Sequence, residues 1–366
     1  MKVIKLILPW ILLLLLMSCN RDEFTDIVDE DYINFALPSI LAEEVIDSRV
    51  SLEEGVVEGS ELLRDIKPNS DFGVIGYCRA YSPGTNTIDY NSGTSPWDIK
   101  RLLTPPEVFD KQNVNFDGTY CKYDNPKKWF TDNETGGNND SEHYLYSFFA
   151  YYPEEEFTVT YPKVKYNGDK YTDAGAPIFT YLMHKDASVL NDTSTVFKQS
   201  QNNDVMLSAT YNIKKSDGKV KFDFSHVLTA LSFAVNNYSE GMELTVYKIE
   251  LSGTFWRNVI VDLNQSSSTD RLEFTDTYKG RYVIYDNQEG LVIPVNDGQS
   301  SYKAPFTDQF ILLVSGKSEE IGYLGDIKVS ITYKFGSDGT KKQLGIDVLL
   351  VLYHALVLNI LHNSIM

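Results

Sequence analysis

The sequence predicts an all-β protein of two β-sandwich domains in tandem, on three observations. Aromatic usage is high, with 24 Tyr and 19 Phe among 366 residues, and such side chains favour pleated, half-buried surfaces over helical bundles. Short apolar runs recur between turn residues along the chain, as sandwich strands do. The length fits two domains at roughly 150 residues each. A hydrophobic fraction of 42% with 23% charged residues is that of a folded chain. The formal charge of −18, from 33 basic and 51 acidic residues, lacks the basic footprint that phosphate contact needs, so no nucleic-acid partner is expected.

Residues 1–18 open with Lys2 and Lys5, run apolar from Leu6 to Met17, and reach Cys19 directly after Ser18. This order is a secretory signal. Its apolar core of ~12 residues is short for a ~30 Å hydrocarbon layer, and no later stretch reaches ~18 consecutive apolar residues. The order Leu16-Met17-Ser18-Cys19 resembles a bacterial lipobox, which implies lipidation of Cys19 and anchoring in the outer membrane. Several acyl chains hold firmly, since each buried CH₂ contributes ~0.8 kcal/mol. Loss of residues 1–18 removes two lysines and no acids, leaving 31 basic against 51 acidic residues and a charge of −20. Asn20-Arg21-Asp22-Glu23 looks like the tag that sends Bacteroides-type lipoproteins to the cell surface; a solvated tether is the alternative.

Residues 19–49 read as a lipidated tether and first strand. Asn20 to Asp31 is polar and acidic, and Tyr32-Ile33-Asn34-Phe35-Ala36-Leu37-Pro38 alternates as one short strand does,. Residues 42–70 are acidic and Gly-punctuated, with Arg49 and Arg64 standing out, and such exposed stretches are where proteolysis concentrates,. An N-terminal sandwich is expected over 50–210. Asp71 to Tyr81 reads as a strand ended by Ser82-Pro83-Gly84, Thr85 to Glu142 as wandering connections, and Tyr144 to Tyr152 as a strand stopped by Pro153,.

A C-terminal sandwich is expected over 211–366. Strand-like runs fall at Val205–Asn212, Val220–Asp223, Leu231–Asn236, Leu244–Leu251, Val259–Leu263, Tyr282–Tyr285, Leu291–Pro294, Phe310–Val314, Ile327–Phe335 and Val348–Ile360. Asp217-Gly218, Asn296-Asp297-Gly298 and Gly336-Ser337-Asp338-Gly339 supply turns,. Phe224 to Ala230 has a helical look of about two turns, and no repeat of 20 to 50 residues is present,.

Motifs for chemistry are lacking: no phosphate loop, no Gly-x-Ser-x-Gly elbow, no His-Glu-x-x-His helix,. His143, His184, His226, His354 and His362 are scattered, so no metal, cofactor or catalytic residue is expected,. Asp223, Ser225 and His226 are close in sequence, but neighbours on a strand point to opposite faces. Asp29-Glu30-Asp31 and Asn138-Asn139-Asp140 offer oxygens without the alternating loop of a calcium site,. Cys78 and Cys121 could form one disulfide in an oxidising compartment or remain free,. Trp97, Trp129 and Trp256 could stack on sugars, although single aromatics more often anchor a core or a loop,.

Four segments resemble the fimbrillin family, the lipoprotein pilins and their anchor and tip relatives: Asp71 to Tyr77, Tyr146 to Pro153, Asn203 to Ala209, and Val220 to Phe233. The resemblance implies two transthyretin-like sandwiches, export as a lipoprotein, no enzymatic activity, and assembly with other fimbrial subunits by donor-strand exchange. It also implies that Ile33 to Ile40 is the removable strand and Arg49 the residue after which a protease cuts. Arg64 is a basic alternative, and anchor-type members keep their lipid. Tyr353 to Ile360 resembles the penultimate strand of the family, followed only by Leu361 to Met366. A glycan-binding surface lipoprotein that recognises a host or bacterial ligand without polymerising is the competing expectation. A surface hydrolase would need paired carboxylates ~5 to 10 Å apart in a cleft.

Overall fold

The computed structural model describes residues 30–41, 66–80, 105–130, 144–166, 170–185, 191–197, 203–231, 233–237, 239, 241–265, 271–295, 304–305, 311–314, 327–337, 339–347 and 356–360. Strands come first as β1 (Ser39–Ile40), β2 (Ser70–Ala80), β3 (Phe109–Phe116), β4 (Cys121–Lys122) and β5 (Tyr144–Tyr152). Then follow β6 (Phe157–Thr160), β7 (Lys163–Tyr166), β8 (Lys170–Asp173), β9 (Ile178–Leu182) and β10 (Asn191–Phe197). The second half holds β11 (Met206–Ile213), β12 (Asp223–His226), β13 (Thr229–Leu231), β14 (Phe233–Asn237), β15 (Leu244–Asp262) and β16 (Leu272–Ile293). It ends with β17 (Ala304–Pro305), β18 (Ile311–Leu313), β19 (Lys328–Phe335), β20 (Lys342–Asp347) and β21 (Leu356–Ile360). The protein is all-β, as the aromatic-rich strand pattern predicts.

Two seven-stranded sheets dominate. The first has the order β1-β12-β11-β5-β2-β3-β4. The second runs β10-β16-β15-β19-β20, with β9 pairing both β15 and β6. Strands from both sides of residue 210 enter each sheet, because β12 joins the first while β6, β9 and β10 join the second.

Strand β5 shows why its sequence is a continuous apolar run. It lies between β2 and β11, and a strand covered on both faces has no polar side to show. Tyr146, Phe148, Ala150 and Tyr152 face one core with Phe72, Val74 and Phe224. Phe149 and Tyr151 face the other with Ile75, Phe179 and Leu251. The Tyr77 hydroxyl, at the second core, donates to the Gly175 carbonyl at 2.7 Å.

Several local expectations are corrected. Phe224 to Ala230 is not helical: β12 pairs β11 with Met206 opposite His226, and Phe222 and Phe224 alternate into the core. That period-two burial overrides a weak helical pattern. The runs Leu244–Leu251 and Val259–Leu263 are one 19-residue strand. Tyr282–Tyr285 and Leu291–Pro294 likewise merge in the 22-residue β16. Their register jumps from Lys248↔Asp286 to Val246↔Leu291, so Asn287 to Gly290 bulge out instead of ending the strand. β3 sits inside the interval expected to wander, with Phe109, Val114 and Phe116 buried. The turn expected at Gly336 does link β19 to β20, an edge strand the sequence hid because Lys342 to Gly345 are exposed. The Asn296 to Gly298 turn lies outside the described residues.

Gly280 marks a close approach. An added Cβ there would collide with the Phe197 ring, which crosses β16 beside it. Gly280→Ala is expected to cost about 1–3 kcal/mol by overpacking. Chemical denaturation of the two single variants and of Gly280→Ala/Phe197→Ala checks this, and the double loss is expected to be smaller than the two single losses added.

Candidate functional site

The first sheet leaves two ends, at β12 and at the chain following β4, and residues 30–41 join them. On the β12 side this segment runs parallel, with Phe35 bridged to Val220 and Ser39 and Ile40 opposite Asp223 and Phe224. The amides of Ala36, Ser39 and Leu41 donate to the carbonyls of Val220, Phe222 and Phe224 at 2.8, 3.0 and 2.8 Å. On the other side Tyr32 bridges Lys128 in antiparallel sense. There the Ile33 amide donates to the Lys127 carbonyl at 2.8 Å and the Trp129 amide to the Asp31 carbonyl at 2.9 Å. One short stretch of chain thereby ties the β12 edge of the sheet to the loop that follows β4.

Side chains explain why this stretch fits. Ile33 is fully buried and Phe35 is 5% exposed, as period-two alternation requires. The Phe35 ring stands 5.5 Å from Phe222, 5.4 Å from Tyr123, 5.8 Å from Phe109 and 6.5 Å from Phe148. It therefore touches groups from both ends of the sheet and from its centre. The Tyr123 hydroxyl donates to the Ile33 carbonyl at 2.7 Å, and burial pushes its pKa above the ordinary phenol range. The Cys121 thiol points at the Ala36 carbonyl, 3.4 Å away, and burial pushes its pKa up to about 12. Cys121 and Cys78 are separate thiols, not a disulfide.

Charge holds both ends of the segment. Lys215 Nζ pairs with Asp31 at 2.7 Å, and that hydrogen bond holds the Asp31 carboxyl below its usual pKa. Asp223 accepts from the Ser39 hydroxyl and pairs with Lys221 at 2.9 Å. The Ser39 hydrogen bond, followed by Lys221, lowers its pKa. The Lys128 ammonium lies 5.0 Å from the centre of the Tyr32 ring, within the range of a cation–π contact.

Other candidate residues are placed as follows. Cys19, Arg49, Arg64 and Trp97 lie outside the described residues. Trp129 is only 4% exposed and packs edge-on to Tyr146 at 4.7 Å, so it cannot offer a face to a sugar. Trp256 is half-buried against Phe274. His226 pairs with Asp204 at 3.0 Å, whereas Asp223 turns to Ser39 and Lys221, so no triad forms from Asp223, Ser225 and His226. Among the described residues no three His, Cys, Asp or Glu side chains gather as metal ligands, and no helix is long and apolar enough to cross a membrane. Sequence reasoning found the segment through its Ile33/Phe35 alternation. It missed Tyr123 and Lys215, which local pattern does not mark because they act from 90 or more residues away.

Residues 107–323 match the model of the fimbrillin-like family, and the chain belongs to that family. Membership makes it a fimbrillin-like structural protein and not an enzyme. Among solved structures it is similar to a fimbrial protein from Bacteroides vulgatus at 17% identity and a TM-score of 0.42, covering 79% of this chain and 88% of that one. It is also similar to a candidate cell adhesion protein from Bacteroides uniformis at 10% identity and a TM-score of 0.38, covering 81% and 87%. A third, from Bacteroides ovatus, stands at 14% identity and a TM-score of 0.31, covering 85% and 84%. No curated protein matches the chain.

Proposed function

We propose that the chain is a subunit of surface fimbriae that is exported as a lipoprotein, lipidated at Cys19, and joined to its neighbours by replacement of residues 30–41. The observation that carries this reading is the position of the segment. It is hydrogen-bonded at both ends of one sheet and fills the core with Ile33 and Phe35. Its departure would leave unpaired carbonyls and amides along Val220 to Phe224 and an empty place beneath Phe222. Another extended chain can satisfy both, with main-chain hydrogen bonds and alternate side chains. Head-to-tail donation that does not close yields a filament. Cleavage after Arg49 would separate the segment and its lipid from the rest.

Intact mass spectrometry of cell-surface fractions, taken with and without shear, tests this. A species beginning at Val50 in the sheared filament fraction is the expected result. An acylated species beginning at Cys19 that stays wholly with the membrane would overturn strand replacement and leave a lipid-anchored surface protein.

A further inference from the structure

We propose that the closing segment opens from its Leu41 end, and that Asp31 to Phe35 lets go last. The use of this order in assembly rests on the strand-replacement reading above.

The two halves of the segment are held differently. Asp31 to Phe35 is bonded to both flanks: Ile33 to Lys127, Trp129 to Asp31, and Val220 to Asn34 at 2.8 Å, all through the backbone. The same half carries the Tyr123 hydrogen bond, the Lys215 ion pair and the Lys128 contact with Tyr32. Both fully seated side chains, Ile33 and Phe35, belong to it. From Leu37 onward the backbone bonds of the segment among the described residues run to one flank, from Ser39 and Leu41 to Phe222 and Phe224. Leu37 is 56% exposed and Leu41 50% exposed, so little apolar surface resists their departure. The added ties are the Ser39 hydroxyl to Asp223 and Ile40, which is only partly buried against the core that takes Ile33 and Phe35 whole.

Local opening is governed by the contacts it breaks. Opening from Leu41 breaks the Leu41, Ser39 and Ala36 amide bonds to one flank, the Ser39 side-chain bond and the Cys121 contact with Ala36 before any buried ring moves. Opening from Asp31 breaks the two-flank ladder and unseats Ile33 first. Arg49 lies eight residues beyond Leu41, so a cut there would create a free end beside the weakly held half. An incoming strand could then pair stepwise with Phe224 and Phe222 while Phe35 still fills the core, and the core would never stand empty.

Native-state hydrogen exchange of the full chain, resolved by fragmentation mass spectrometry, tests the order. The Ser39 and Leu41 amides are expected to exchange at least about tenfold faster than Ile33, a factor of ten corresponding to about 1.4 kcal/mol. Ser39→Ala is expected to speed exchange at Ser39's position and Leu41 while leaving Ile33 unchanged. Equal rates along the segment, or faster exchange at Ile33, would overturn the proposal. So would a Ser39→Ala variant in which all these amides accelerate together, because the segment would then leave as one unit. The measurement needs no cleavage and no second subunit. Ordered exchange without any Val50 species on cells would uphold the opening order while removing its role in assembly.

Discussion

Replacing Phe35 by Ala is expected to cost about 3–5 kcal/mol, the range for deleting a buried aromatic ring. The ring contacts Phe222, Tyr123, Phe109 and Phe148 within 6.5 Å, so neighbours fixed in three parts of the sheet cannot all relax into the gap. Because Phe35 sits on a terminal segment, part of the loss should appear as local detachment instead of global unfolding. Cys121 reports on this directly, since its thiol lies under the Ala36 carbonyl. Denaturant unfolding and the rate of Cys121 labelling by a thiol reagent give the two readouts. In Phe35→Ala the labelling rate should rise at least about tenfold even where the rest of the protein stays folded. Phe35→Leu, which keeps most of the volume, should lose less than half as much stability. A loss below about 1 kcal/mol with Cys121 still protected would show that the ring does not anchor the segment.

The second large effect is acid destabilisation through His184. This side chain is buried, stacks on Phe197 at a ring distance of 4.1 Å, and shares a hydrogen bond of 2.9 Å with the Tyr282 hydroxyl. Tyr282 in turn meets Tyr278 at 2.6 Å, and the Tyr278 hydroxyl donates to Met183 Sδ at 3.3 Å. Burial, then the Arg257 guanidinium, lowers the His184 pKa to about 4. The guanidinium donates to the Met183 and His184 carbonyls and pairs with Asp276 at 3.4 Å. The folded state thus keeps the imidazole neutral while the unfolded chain protonates it near pH 6.5. Stability is full above that pH and falls progressively as the pH drops towards 4, by roughly 3 kcal/mol in all. The lowered carboxylates Asp31 and Asp223 act separately, below the ordinary aspartate pKa of 3.8.

His184→Asn should flatten this part of the profile. Asn tolerates the positive φ of 52° at this position,, and it has no charge to acquire. Thermal or denaturant unfolding of both proteins from pH 7 to pH 4 is the measurement. Parallel profiles would mean that His184 takes up its proton without opposition and that the Tyr278–Tyr282 cluster is not what excludes it.

Much of the fold is legible locally. The Asp71 to Tyr81 and Tyr144 to Tyr152 runs are β2 and β5 within a few residues, because apolar runs bounded by turn residues suit strands. The turn at Asp217-Gly218 reads correctly, as Gly218 takes a φ of 82° that few other residues tolerate. The alternation at Ile33 and Phe35 marks the closing segment by local pattern alone.

Sequence by itself therefore determined the all-β class, the Ile33/Phe35 alternation of the first segment, and the absence of recognisable catalytic motifs, whereas the strand expected over Tyr32 to Pro38 is two isolated bridges with β1 beyond it at Ser39–Ile40. Tertiary structure alone decided how the pieces pair. Nothing local says that β15 continues through Gly253, but that glycine lies directly opposite Gly280 on β16, where the ladder goes on. Trp129 reads as exposed in a polar stretch, yet its backbone bonds to Asp31 and turns the indole into the core. The physical reason is range. Alternation is a property of neighbours in sequence, whereas register, closure and the environment of a buried His184 depend on partners that stand 27 residues apart for Gly253 and Gly280, 98 for His184 and Tyr282 and 185 for Phe35 and Val220, whose contacts no local period encodes,.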